Sequence, residues 1–268
     1  MTHAPSPATA VVMTHAPSPA PRRISSARDW TTLVAGFVVV YAVFEAAARS
    51  LGSDRGQWGL PVAAIVVAAT LAAERLLPRR QAVPGAVAIG LGRPRGTGLV
   101  VAAALAAAIA LVIPASGLFF GARPVLASGA AWMLPGLFLQ AGLAEEVLFR
   151  GYLFGSLRAG RPFRRAALLS LLPFAAVHGA LFVTLPWPVA TAALILALAV
   201  AVPLAHLYEL GGATIWAPAL LHTVVQAGPK IVVLPGDDAM PFAFAWMAAS
   251  ATLPWLAFAV RRISAPGR

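Results

Sequence analysis

Apolar stretches long enough to cross a bilayer recur from one end of this chain to the other, and they leave few architectures open. They fall at 32–48, 60–73 or slightly beyond, 98–120, 126–157, 165–183, 188–207, 211–227 and 242–260. Inside hydrocarbon every backbone N–H and C=O must be bonded within the protein, so only helices and closed barrels span it. The stretches lack the short apolar–polar alternation of barrel strands. The sequence therefore predicts an all-α fold, a polytopic transmembrane bundle of about eight helices. With 60% hydrophobic and only 11% charged residues, the chain has too little polar surface for a soluble domain of 268 residues.

The formal net charge of +11 raises the question of a nucleic-acid partner, and its placement answers it. With the N-terminus in the cytosol, one side of the membrane collects Arg22, Arg23, Arg28, Arg75, Arg79, Arg80, Arg93, Arg95, Arg150, Arg158, Arg161, Arg164, Arg165, Arg261, Arg262 and Arg268. The other side holds only Arg49, Arg55, Arg123 and Lys230. Sixteen against four is the positive-inside pattern. The basic residues thus report topology and contact with the lipid bilayer, not nucleic acid, and both termini are expected in the cytosol. Abundant Ala, Arg, Pro and Gly fit a GC-rich bacterial genome, hence a bacterial cell membrane.

MTHAPSPA at 1–8 recurs unchanged at 13–20, a Pro/Ala tract that cannot build a core. Residues 1–28 are therefore expected to be a disordered cytosolic tail, and 29–263 an integral membrane domain. The loop 78–98, rich in Pro, Gly and Arg, reads as a cytosolic connector; its GLGRPRG lacks the glycine spacing and preceding strand of a dinucleotide site. The chain has no cysteine, which removes disulfide scaffolds, zinc–thiolate sites and thiol nucleophiles.

Few ionisable groups lie within the apolar stretches, and each is costly there unless it has a task. The densest group is in LAEEVLFRGYLF (143–154). Glu146 and Arg150 are four residues apart, share a helix face and can neutralise each other. Glu145 points about 100° away on an α-helix of 3.6 residues per turn. Counting inward from the expected cytosolic helix ends puts Glu145, His178 and His222 at similar depths, roughly 16–20 Å in at about 1.5 Å per residue. A bundle could bring this carboxylate and two imidazoles together. Their chemistry fits activation of water: a glutamate in a dry site can act as general base, and imidazoles can carry protons or stabilise an oxyanion. Two histidines with carboxylates suit zinc equally well on residue type alone. Glu45 has Arg49 four residues on as a partner, and His206 and Glu209 read as interfacial.

Three segments carry a resemblance. EEVLFRGYLF matches an EExxxR motif, FAAVH (174–178) an FxxxH motif, and WAPALLHTVVQ (216–226) a third motif of HxxxN type. Together they resemble the CPBP family of CAAX prenyl endopeptidase relatives and bacteriocin-processing or immunity proteins, also called ABI proteins. The resemblance places a protease core at about 126–230. It implies an intramembrane endopeptidase of glutamic type, acting on a membrane-associated protein or peptide, that requires no metal cofactor. By this likeness Glu145 and His178 activate the water, Arg150 holds Glu146, and His222 with the residue four further on stabilises the oxyanion. That last position departs from the family's asparagine: it is Gln226, the same amide on a longer arm. The active layer is expected to be reached from the cytosolic side. The alternative, within the same family, is a non-catalytic immunity or scaffold protein. A small proton-relaying transporter is disfavoured, because no inverted repeat is evident.

Overall fold

The computed structural model describes residues 24–52, 54–77, 83–121, 124–234 and 239–260. The repeat tail 1–23, the arginines at 22, 23, 79, 80, 123, 261, 262 and 268, and part of the 78–98 connector lie outside them. The described chain is helical: α1 (Ala27–Leu51), α2 (Arg55–Arg75), α3 (Gly96–Phe119), α4 (130–158), α5 (Phe163–Thr184), α6 (Trp187–Leu210), α7 (Trp216–Ile231) and α8 (Ala239–Ala259). Six of these are long and apolar enough to cross a membrane; with α4 and α7 the rods number eight among the described residues. The expected all-α membrane bundle is what the chain forms.

Local sequence accounts for several helix ends. Ser26 and Asp29 form a reciprocal capping box at the start of α1, and Asp54 accepts from the N–H groups of Gly56 and Gln57 at the start of α2. Between α6 and α7 the chain turns through Gly212 (φ +80°) and Ala213 (φ +61°), left-handed conformations that end a helix. This turn corrects the expected 211–227 boundary. Gly211–Ile215 is not helical, and α7 begins at Trp216. It starts deep in the bundle, where Ile215 N–H donates to the Gly90 carbonyl and Trp216 Nε1 to the Gly92 carbonyl.

The rod α4 is the axis of the bundle. Its first half packs against α2 and α7, its second half against α1, α5 and α6. Every residue of Val147–Phe154 is buried, so the charged stretch faces protein on all sides and not lipid. The exposed apolar side chains lie elsewhere, for example Val34, Val38 and Val39 on α1 and Leu168 and Leu172 on α5. Arg150 belongs to this interior and not to a loop. Removing it from the charge count leaves fifteen basic residues against four, the same asymmetry.

Small residues let α4 come this close. A Cβ on Gly136 would lie 1.8 Å from the Arg55 carbonyl oxygen, and one on Gly142 would lie 2.5 Å from Thr223 Oγ1 and 2.9 Å from the Ala219 carbonyl. Gly136→Ala is therefore expected to push α2 off α4 and cost about 1–3 kcal/mol. Thermal unfolding in detergent checks this against Gly96→Ala, where the added methyl meets nothing within 4 Å. Equal melting of the two variants would contradict the close crossing.

The two ends of the bundle are closed differently. At the arginine-rich end, Arg158 donates to Glu209 and to the Arg161 carbonyl. Arg161 donates to the Ile24 carbonyl and lies over Trp30. The expected interfacial residues are thus built into contacts: Glu209 with Arg158, and His206 stacked on Phe258 with Nε2 3.1 Å from the Ala257 carbonyl. At the other end two short strands, β1 (Val125–Leu126) and β2 (Val232–Val233), pair antiparallel and tie the entry of α4 to the exit of α7. Glu45 pairs with Arg49 at 3.0 Å and also accepts from Tyr41 Oη at 3.1 Å.

Candidate active site

Around Glu145 and Glu146 the rod is not a plain α-helix. Phe138–Ala144 and Val147–Phe154 are π-helical, with the two glutamates between them. Such widened turns recur at functional sites, and here both carboxylates reach the same imidazole. His222 Nδ1 lies 2.7 Å from Glu146 Oε1, and His222 Nε2 lies 3.8 Å from Glu145 Oε2. The expected pairing of Glu146 with Arg150 is present, Nη1 to Oε1 at 2.7 Å. Glu146 therefore has two partners where the sequence offered one. It is buried completely, and it holds a guanidinium from its own helix and an imidazole from α7.

Arg150 is fixed further by the Ala201 carbonyl of α6 at 3.4 Å and by the Phe174 ring, 5.0 Å from its guanidinium carbon. Phe174 also serves His178. Its carbonyl lies 2.9 Å from His178 Nδ1, and its ring centroid lies 4.4 Å from that of the imidazole. A carbonyl can only accept, so His178 carries its proton on Nδ1 and presents Nε2 as the available nitrogen. The same logic applies to His222, whose Nδ1–H donates to the Glu146 carboxylate. Both histidines thus spend Nδ1 on an anchor and keep Nε2 for other work.

His178 lies within electrostatic range of Glu145, His222 and Arg150. The depth count did not foresee how. His178 is 15 residues from the start of its helix and His222 only 6 from the start of its own, at Phe163 and Trp216. They meet because α7 starts deeper than α5. Glu145 itself accepts no hydrogen bond from the described residues, and Glu146 takes both cationic partners. Gln226 lies one turn beyond His222 on α7, and its Oε1 accepts from Lys230 Nζ. An ammonium can only donate, so this contact fixes Oε1 as the bonded end of the amide and leaves the NH2 group without a partner among the described residues.

Sequence reasoning missed Phe174 as a shared support for Arg150 and His178, although its place four residues before His178 was a signal. It also missed Lys230 as the partner of Gln226, at the same four-residue spacing. No signal marked the bond between His222 and Glu146, 76 residues apart. Among the described residues, no group of three or more His, Asp or Glu side chains is arranged to hold a metal ion.

Residues 127–228 match the family described as Type II CAAX prenyl endopeptidase Rce1-like. The apolar spans indicate an integral membrane protein, and over the matched stretch it is similar to CAAX prenyl endopeptidases. The matched stretch contains Glu145, Glu146, Arg150, His178, His222 and Gln226. No curated protein matches the chain.

Proposed function

We propose that the protein is an intramembrane endopeptidase that hydrolyses a peptide bond in a membrane-associated protein or peptide, with Glu145 as the base. One observation carries this reading: of two adjacent carboxylates, one fully buried and one partly so, Glu146 takes Arg150 and His222, leaving Glu145 without a hydrogen bond among the described residues, beside His222 Nε2. Glu145 removes a proton from a water as its oxygen attacks the scissile carbonyl carbon, with the Nε2 lone pair of His178 helping to hold that water. The carbonyl π-electrons move onto oxygen. The oxyanion is met by the free amide NH2 of Gln226 and by a protonated His222, whose positive charge Glu146 supports. Collapse of the tetrahedral intermediate breaks the C–N bond, and the proton held by Glu145 passes to the leaving nitrogen. The mechanism is thus of glutamic type and needs no metal. The arginine-rich end faces the cytosol, with both termini on that side, in a bacterial cell membrane.

The test is incubation of the purified protein with membrane-anchored peptides in proteoliposomes, with products read by mass spectrometry. Wild type is expected to release defined fragments. No fragment from any peptide would favour the non-catalytic immunity or scaffold reading. Within a cleaving system, Gln226→Ala is expected to lower kcat by about 10²-fold, the usual scale for one oxyanion donor. An unchanged kcat would remove Gln226 from the mechanism.

A further inference from the structure

A further polar group lies beside Glu145, on a helix outside the matched stretch 127–228. Two contacts fix how α1 and α4 face each other, and they show the pair to be antiparallel. Tyr152 Oη donates to the Leu33 carbonyl at 3.4 Å, and the ring centroids of Phe37 and Phe149 lie 5.6 Å apart. Carried on by one turn, the same register sets Tyr41 level with Glu145, and Glu145 acts electrostatically on the Tyr41 hydroxyl. On its other flank Phe149 meets Phe174 of α5 edge-on, centroids 4.8 Å apart, one turn before His178. The buried rings of Phe37, Phe149 and Phe174 thus form a floor. Tyr41, Glu145 and His178 stand one turn nearer the arginine-poor end, each on a different helix.

What Tyr41 offers this layer is set by its neighbours on α1. Its Oη donates to Glu45 Oε1 at 3.1 Å, while Arg49 holds Glu45 Oε2 through Nε at 3.2 Å and Nη2 at 3.0 Å. A carboxylate paired with a guanidinium stays ionised and can only accept. The one phenol proton is therefore committed to Glu45, and the lone pairs of Oη face the layer. Glu145 also accepts, and so does His178 Nε2. Acceptors cannot bond one another; a molecule with two donors joins them, and water is the one that hydrolysis consumes. The two hydrogens of one water serve Glu145 and His178, so Tyr41 accepts from a second. Arg49, Glu45 and Tyr41 follow at four-residue intervals on one face of α1, from an exposed guanidinium inward. Eight residues at about 1.5 Å each make this polar strip roughly 12 Å long. The aromatic floor closes the opposite direction, toward the end from which the sequence led us to expect access.

We propose that Tyr41 and Glu45 form the route by which water reaches Glu145 from the arginine-poor side, with Tyr41 holding the molecule next in line. This deepens the endopeptidase reading and rests on it for the use made of the water. Each cleavage joins the OH of one water to the carbonyl carbon and its other hydrogen to the leaving nitrogen, so the layer is refilled at every turnover. Tyr41 is a positioning residue: it acts on the peptide only through water. Glu45 keeps its proton turned away from the layer, and Arg49 keeps Glu45 charged.

The chain has no cysteine, so single-cysteine variants report one position at a time. Full-length Tyr41→Cys, Glu45→Cys and Val39→Cys proteins, in membrane vesicles of known sidedness, are treated with a charged, membrane-impermeant methanethiosulfonate. The reagent needs a thiolate, and hence a thiol in contact with water. Val39 is exposed on the apolar face of α1 and reports lipid, while Arg49→Cys and Arg28→Cys mark the two sides. Tyr41→Cys and Glu45→Cys are expected to react roughly tenfold or more faster than Val39→Cys, and only from the side that modifies Arg49→Cys. Reaction no faster than that of Val39→Cys, or from the Arg28→Cys side, would overturn the route. Glu45→Cys decides alone where Tyr41→Cys melts below wild type. Cleavage of a membrane-anchored peptide is followed in parallel with Tyr41→Phe, which keeps the ring stacked on Phe37. Its kcat should fall about tenfold, the scale of one hydrogen bond, with KM and melting temperature close to wild type. An unchanged kcat would overturn the part given to Tyr41. Labelling as expected without any cleavage by wild type would contradict the endopeptidase reading and leave the route standing. Cleavage by wild type with both cysteines unlabelled would do the reverse.

Discussion

Glu146→Ala should destabilise the protein by about 3–5 kcal/mol, the scale for removing one member of a buried ion pair. The carboxylate is fully buried and accepts from Arg150 Nη1 and His222 Nδ1, each at 2.7 Å. Its removal leaves a guanidinium in the core of the bundle whose remaining direct contacts among the described residues are the Ala201 carbonyl and the Phe174 ring. An arginine cannot escape by losing its proton. Thermal unfolding in detergent reads the effect. The double variant Glu146→Leu/Arg150→Leu removes both charges and should recover most of the loss, because well-packed apolar side chains replace a buried pair at little cost. It should not recover activity, since His222 Nδ1 would still lack its acceptor. Wild-type melting of Glu146→Ala would show that the pair does not hold this region together.

The second large effect falls on rate and not on stability. Glu145→Gln should lower cleavage by about 10²–10⁴-fold, the range for a positioned general base. It should leave the melting temperature close to that of wild type. The nearest cationic contact of Glu145 is His222 Nε2 at 3.8 Å, longer than a hydrogen bond, so little folding energy is tied to its charge. Two adjacent glutamates on one helix are thus expected to separate cleanly. The second carries the fold and the first carries the reaction.

How far the sequence foretold this differs from residue to residue. The rods were legible because spanning helices must be long, apolar and internally bonded, and the Glu146–Arg150 pair because four-residue spacing is a local property. The bond between His222 and Glu146 was not legible. It depends on α7 starting deep in the bundle, which follows from the Gly212–Ala213 turn and the Gly90 and Gly92 carbonyls, none of them marked by periodicity. The π-helical turns on either side of the glutamates were hidden for a similar reason. They follow from packing against neighbours, with Gly142 lying against Ala219 and Thr223, and an α-helical wheel divides the two acids more sharply than the structure does. Phe174 was visible as a motif letter, but its double service to Arg150 and His178 became apparent only from two helices together.

The most direct measurement is the single-turnover rate of peptide cleavage by Glu145→Gln protein whose melting temperature matches wild type. A fall of about 10²-fold or more, with the peptide still bound, is the predicted result. Cleavage within a few-fold of wild type would contradict it and move the reaction away from Glu145.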